Sequence, residues 1–234
     1  NAKPLLERFQ VPATVFMTTG WLGQEHSFWW DQLDRLLLQT DSLPETLQLT
    51  INDREYSWRL GQAAHLNEEE FLQYRSWKAW EDGPTARHTL YYTLWQLLRT
   101  AVENERLQVL NRIAAWAGVT HAHHPGYSLL SAAEVLALAR GTLVEIGSHS
   151  VTHPLLSSLP VSSQREEIQQ SKICLEEILD HPVVSFAFPY GDYTAETVSI
   201  VSEAGFKCAC STAGDMVRKS SSCFQLPRLH VLDW

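Results

Sequence analysis

The sequence has no excess of positive charge. Lys and Arg number 18 against 27 Asp and Glu, a formal net charge of -9 over 234 residues, with the acidic side chains scattered. Binding to a phosphate backbone needs a basic patch or stripe. None is present, so the reading is of a protein with no nucleic-acid partner. Cysteine is scarce: Cys174, Cys208, Cys210 and Cys223 are all there are, and no two stand in a Cys-x-x-Cys pair. That argues against a disulfide-built scaffold and a thiolate zinc site; the four read as buried thiols or at most one disulfide. No apolar run approaches the roughly 20 residues that a membrane-spanning helix needs.

What is present is ordinary globular material, 44% hydrophobic and 19% charged, enough for a sizeable core. The stretch Leu143 to Leu156, LVEIGSHSVTHPLL, organises the rest. A short apolar run ends in Gly147, and His149 and His153 follow four residues apart. Neutral imidazole is a common ligand for zinc and similar ions. In a chain with ten histidines this spacing is weak evidence by itself, and a metal clip and a pair of loop histidines both remain open on these residues alone.

The surrounding rhythm supplies context. Asn1 to Phe9 reads as the end of a helix and Ala13 to Met17 as a buried strand. From Ser131 onward, strand and helix alternate: strands at Leu143 to Ile146, Val183 to Phe188, Phe206 to Cys210 and Gln225 to Leu232, with helices opened by possible capping boxes at Ser131/Glu134 and Ser163/Glu166. Such alternation implies right-handed crossovers and a parallel sheet, whose sites gather at the C-terminal strand ends. His149, Tyr190 and His230 fall at or near such ends. A helix at the very start of an alternating chain lacks its preceding strand, which points to an N-terminal truncation.

Residues 24–125 differ in character. Long amphipathic helices are expected at Phe28 to Gln39, Leu66 to Trp80, Thr85 to Val102 and Glu103 to Ala117, with a hairpin turning at Asn52-Asp53. Eight of the nine tryptophans lie between Trp21 and Trp116. At helical spacing they read as core ahead of a sugar platform. His121, His123 and His124 have a metal-like spacing but no strand end to position them, and read as a solvated loop.

Three stretches resemble the polysaccharide deacetylase family, the NodB-homology domain of carbohydrate esterase family 4. HSVTH at His149 to His153 is similar to the family's His-[Ser/Thr]-x-x-His metal motif. FAFPYG at Phe186 to Gly191 resembles its Pro-Tyr-Gly motif. AKPLLERFQVPATVFMTTGWLG resembles the segment that follows its Thr-Phe-Asp-Asp-Gly motif. The resemblance implies an α/β fold: a distorted (β/α) barrel made of residues 1–23 and 126–234, N-terminally truncated; it does not cover 24–125, whose own pattern reads as a largely helical insertion. It implies a metal-dependent hydrolase that removes N-acetyl groups from a polysaccharide or amino-sugar glycan. His149 and His153 would ligate a divalent ion, zinc being the first choice. Pro189, Tyr190 and Gly191 would bind substrate, with the Tyr190 N–H facing the oxyanion, and His230 in LPRLHVLDW would be the general acid.

The sequence departs from the family in three places. It contains no Asp-Asp pair, the family's source of the third ligand and the base, and Asn1 begins just downstream of where that motif should lie. Ala187 and Phe188 occupy the region where an arginine often precedes Pro-Tyr-Gly. His230 stands one residue off the usual Leu-x-His pattern. The fragment is therefore expected to be inactive or nearly so. A non-catalytic glycan-binding domain and a same-fold hydrolase of cyclic imides or formamides are the alternatives.

Overall fold

The computed structural model describes residues 2–24, 27–66, 68–74, 76–78, 81–119 and 129–231. His121, His123 and His124 lie outside them, as does Asp233. The chain forms two compact units, one of Asn1–Gln24 with Leu129–Trp234 and one of Glu25–Ser128.

In the first unit, helix α1 (Ala2–Phe9) leads into strand β1 (Ala13–Met17), and the chain returns through α6 (Ala132–Ala139) to β4 (Val144–Ser148). Then come α7 (Val161–Leu179), β5 (Ser185–Ala187), α8 (Ala195–Glu203) and β6 (Cys208–Cys210). The four strands form one parallel sheet in the order β1-β4-β5-β6. This is the mixed α/β fold expected, with sequence-adjacent strands joined through helices. Val144 and Ile146 of β4 turn into the core with Val135, Ile168, Leu175, Phe186, Phe188 and Ile200. Gly147 is required where it stands: an added Cβ would meet the Phe16 ring and the Ser185 hydroxyl at 2.5–2.7 Å.

The local signals explain most element ends. Ser131 and Glu134 form the expected capping box. A second box, Thr194 with Thr197, starts α8. Helix α7 begins two residues before Ser163, after Pro160, with no side-chain cap; Pro160 blocks extension towards the N-terminus, and Ser163 falls inside the first turn. The last expected strand is reduced to a single bridge, Cys210 to Leu226. Leu226 both donates to Ala209 and accepts from Ser211, but Pro227 has no N–H with which to continue a ladder. The four cysteines are free thiols, three of them half-buried and Cys223 exposed, so neither full burial nor a disulfide is found.

In the second unit, α2 (Trp29–Leu38), the hairpin β2 (Thr46–Ile51) and β3 (Arg54–Arg59), α3 (Glu68–Tyr74), α4 (Ala86–Thr100) and α5 (Glu103–Ala117) enclose a separate core. Asn52 and Asp53 both take left-handed backbone at φ 51° and 57°, the two-residue turn whose twist matches the flanking strands. Trp29 belongs to this core, and Trp30, Trp58, Trp95 and Trp116 pack against it. Two buried arginines tie the loops down. Arg87, 1% exposed, donates to the carbonyls of Leu37, Thr40, Asp41, Ala63 and Ala64. Arg106 donates to Leu98 and Ala101 and pairs with Glu103 at 2.6 Å. Among the described residues, no helix is long and apolar enough to cross a membrane.

Candidate active site

His149 sits one residue beyond β4, and its backbone N–H continues the ladder to Met17 at 2.9 Å. Its Nδ1 lies 2.7 Å from the carbonyl oxygen of Ala187, the last residue of β5. A carbonyl only accepts, so Nδ1 carries the proton and the Nε2 lone pair is left for a ligand. Burial holds the His149 imidazole below the ordinary histidine range; the Ala187 bond works against this and the Arg228 charge adds to it. The ring is therefore neutral at pH 7, the form that binds metal.

His153 meets His149 edge to face with ring centres 4.7 Å apart, and Tyr190 meets His153 edge to face at 4.6 Å. The His-x-x-x-His and Pro-Tyr-Gly motifs thus converge at the C-terminal ends of β4 and β5. The backbone there is unusual. Ser150, His153 and Tyr190 all take positive φ, 66°, 56° and 57°, a conformation that costs non-glycine residues energy and concentrates at functional sites. Gly191 at φ 68° completes the Pro-Tyr-Gly turn, and a side chain there would run into Thr212. Pro189 is buried at the turn's start, and Gly191 donates to Phe188.

Two imidazoles that share one tetrahedral ion bring their ring centres to about 5 Å, and the observed separation fits. Among the described residues, no group of three or more His, Cys, Asp or Glu side chains is placed to hold an ion. His230 lies on the exposed segment after the Cys210–Leu226 bridge.

Two carboxylates hold the loop in shape. Glu167 on α7 accepts from the Val151 and Thr152 N–H groups at 2.9 and 2.8 Å and from the Thr152 hydroxyl at 2.7 Å. Asp192 accepts from the Ser157 N–H and hydroxyl at 2.7 and 2.9 Å, joining the Pro-Tyr-Gly turn to the segment after His153. Neither role, nor that of Arg228, has a sequence signal, because each contact spans 15 residues or more and depends on the folded loop. Glu167→Ala strips three acceptor bonds from the loop between the histidines. A loss of about 1–3 kcal/mol is expected, with much faster hydrogen exchange at Val151 and Thr152. Unchanged exchange at those amides would show that the loop is held by other means.

The polysaccharide deacetylase family profile matches residues 85–209, more than half of the chain. The match contains His149, His153 and the Pro-Tyr-Gly turn. It begins in the second unit and leaves out β1 and His230. No curated protein matches. Among solved structures, the deacetylase domain of BpsB from Bordetella bronchiseptica is 15% identical with a TM-score of 0.50, over 98% of this chain and 64% of that one; the likeness is one of fold. The Streptococcus pyogenes deacetylase PplD, solved with acetate, is 21% identical with a TM-score of 0.44, over 46% of this chain and 47% of that one. BA3943 of Bacillus anthracis, a pseudoenzyme of carbohydrate esterase family 4, is 29% identical with a TM-score of 0.27, over 28% of this chain and 24% of that one. This chain spans less than two thirds of each of these solved chains. The profile match over more than half of the sequence, with both motifs inside it, shows that this chain belongs to the polysaccharide deacetylase family.

Proposed function

We propose that this sequence forms part of a metal-dependent hydrolase that removes N-acetyl groups from an amino-sugar glycan, with residues 24–125 as a helical insertion in the barrel. The observation that carries the reading is the His149 Nδ1 bond to Ala187 beside His153, which fixes the tautomer a metal ligand needs. When bound, a divalent ion such as zinc lowers the pKa of water and polarises the acetyl carbonyl.

The protein's own groups then have separate tasks. His149 and His153 hold the ion. The Tyr190 N–H, at the turn fixed by Pro189 and Gly191, donates to the oxyanion as the carbonyl becomes tetrahedral. His230 protonates the leaving amine. The base and the third ligand are carboxylates in the family pattern, and no Asp-Asp pair occurs among these 234 residues. Asp192 holds the Ser157 N–H and hydroxyl through its two oxygens. The same shortfall favours a second reading, a non-catalytic glycan-binding domain.

One experiment separates these readings. Residues 1–234 are extended at the N-terminus by a strand carrying Thr-Phe-Asp-Asp-Gly and supplied with zinc. Acetate release from an N-acetylated chito-oligosaccharide, abolished by a chelator, supports the deacetylase. Metal binding without acetate release, but with turnover of a cyclic imide or a formamide, assigns the other hydrolase class. Glycan binding with no turnover of any of these substrates assigns the non-catalytic role.

A further inference from the structure

Strand β6 carries two thiols on one face. Cys208 and Cys210 stand two residues apart, and a strand turns alternate side chains the same way. Ala209 between them is buried in the core, while both cysteines are half-buried on the other face. The chain then leaves through residues 211–222 and comes back beside β6. The Ala209 N–H donates to the Cys223 carbonyl at 2.8 Å, the Leu226 N–H donates to the Ala209 carbonyl at 2.8 Å, and Cys210 pairs with Leu226 in a parallel bridge.

The amide that donates to Cys223 is the one that joins Cys208 to Ala209. In a parallel ladder this bond makes Cys208 and Cys223 lateral neighbours, with α-carbons about 5 Å apart, the spacing of adjacent strands. A disulfide spans roughly 4.4–6.8 Å between α-carbons. Cys210 is a poorer partner for Cys208, because two steps along a strand separate α-carbons by about 6.6 Å, the far end of that range. Cys174 stands on helix α7. Burial pushes the Cys208 thiol up, and Cys210, Glu145 and Cys223 push it further, so the Cys223 sulfur is a neighbour as well as its backbone. Both are free thiols in the structure, and Cys223 is exposed.

The loop between these two cysteines walls the candidate active site. The Thr212 side chain packs on Gly191 of the Pro-Tyr-Gly turn, leaving no room for a Cβ there. The Ser211 carbonyl accepts from Arg228 Nε at 2.8 Å, and the Ala213 carbonyl from the Arg228 N–H at 2.9 Å. Residues 212–222 belong to no helix or strand. A covalent tie between the two feet of such a loop limits its local opening.

We propose that Cys208 and Cys223 form an oxidisable pair, joined by a small-molecule disulfide such as oxidised glutathione, and that their bond clasps the loop that backs the Pro-Tyr-Gly turn. The exposed Cys223 thiolate attacks oxidised glutathione, giving a mixed disulfide and one released glutathione. The Cys208 thiolate then attacks the Cys223 sulfur and expels the second glutathione. Two cysteine thiols are oxidised, one glutathione disulfide is reduced, and the two cysteine protons end on the two glutathione sulfurs. The pairing is independent of the deacetylase reading.

The test treats the whole reduced chain with oxidised glutathione under native conditions, alkylates the remaining thiols and maps the peptides by mass spectrometry. A monomer with a Cys208–Cys223 cross-link and alkylated Cys174 and Cys210 is expected. Cys208→Ser and Cys223→Ser should each abolish the cross-link, while Cys174→Ser and Cys210→Ser should keep it, with circular dichroism confirming the fold. In the oxidised chain, amide hydrogen exchange across residues 212–222 should slow by at least about tenfold. Dithiothreitol should reverse this, and Cys223→Ser should show no slowing. Four alkylated thiols, a main cross-link through Cys174 or Cys210, covalent dimers, or a glutathione adduct that persists on Cys223 would overturn the pairing. So would a cross-link that forms only in denaturant. A cross-link that leaves exchange across 212–222 unchanged would overturn the clasp.

Discussion

Arg87→Met unfolds or severely loosens the helical unit, with an expected loss of about 3–5 kcal/mol. The methionine keeps much of the stem's packing and removes every donor. Five backbone carbonyls, from Leu37, Thr40, Asp41, Ala63 and Ala64, then lose their bond to Arg87, although those of Asp41 and Ala64 keep the N–H groups of Leu66 and Leu43. A buried acceptor left without a partner costs about 1–3 kcal/mol, so partial rescue by water still leaves a large deficit against a typical domain stability of about 5–15 kcal/mol. Arg87→Lys restores the charge but has too few donors for five acceptors, and should recover only part. The check is denaturant unfolding with hydrogen exchange resolved by segment. A loss below about 1 kcal/mol for Arg87→Met would mean that the carbonyls find other partners.

His88 adds a pH signature to the same unit. Burial and the Arg87 charge lower its pKa in the folded state. The unfolded chain therefore takes up the proton first as pH falls. This contribution to stability is intact above the ordinary imidazole value of about 6.5 and is lost as pH drops from there through the folded value.

Residues 1–234 should release acetate from N-acetylated chito-oligosaccharides near background, and the extension carrying Thr-Phe-Asp-Asp-Gly should raise the rate at least about 10²–10⁴-fold. That range is what a positioned general base typically contributes; a third metal ligand adds to it. In the extended chain, His149→Ala should return the rate to background. The half-buried, Nδ1-protonated imidazole has its lone pair fixed at Nε2 by Ala187, and alanine would leave His153 alone to hold an ion. Full activity from residues 1–234 would place the base elsewhere in this chain. Asp192 and Asp233 are then the first residues to examine.

The features legible in the sequence are those set by short-range chemistry. HSVTH and FAFPYG mark strand ends because an apolar run stops at Gly147 in one and at Pro189 in the other. The alternation after Ser131 foretells the parallel sheet, and Asn52-Asp53 the hairpin turn. What was not legible depends on distant partners. The Ala187 carbonyl that orients His149 is a backbone atom with no residue signature. Glu167 reads as one more exposed helix acid until the loop folds onto it. Arg87, in a charged and ordinary-looking stretch, is buried only because five carbonyls from two loops converge there.

The central claim, that His149 and His153 are two ligands of one divalent ion, is tested most directly by titrating the chain with zinc in a competitive-chelator calorimetric assay. The wild-type chain should bind one ion at this pair, more weakly than a closed zinc site. His149→Ala and His153→Ala should each remove that binding while the fold is retained by circular dichroism. A wild-type chain that binds no zinc, or binding that survives either substitution, would contradict the account.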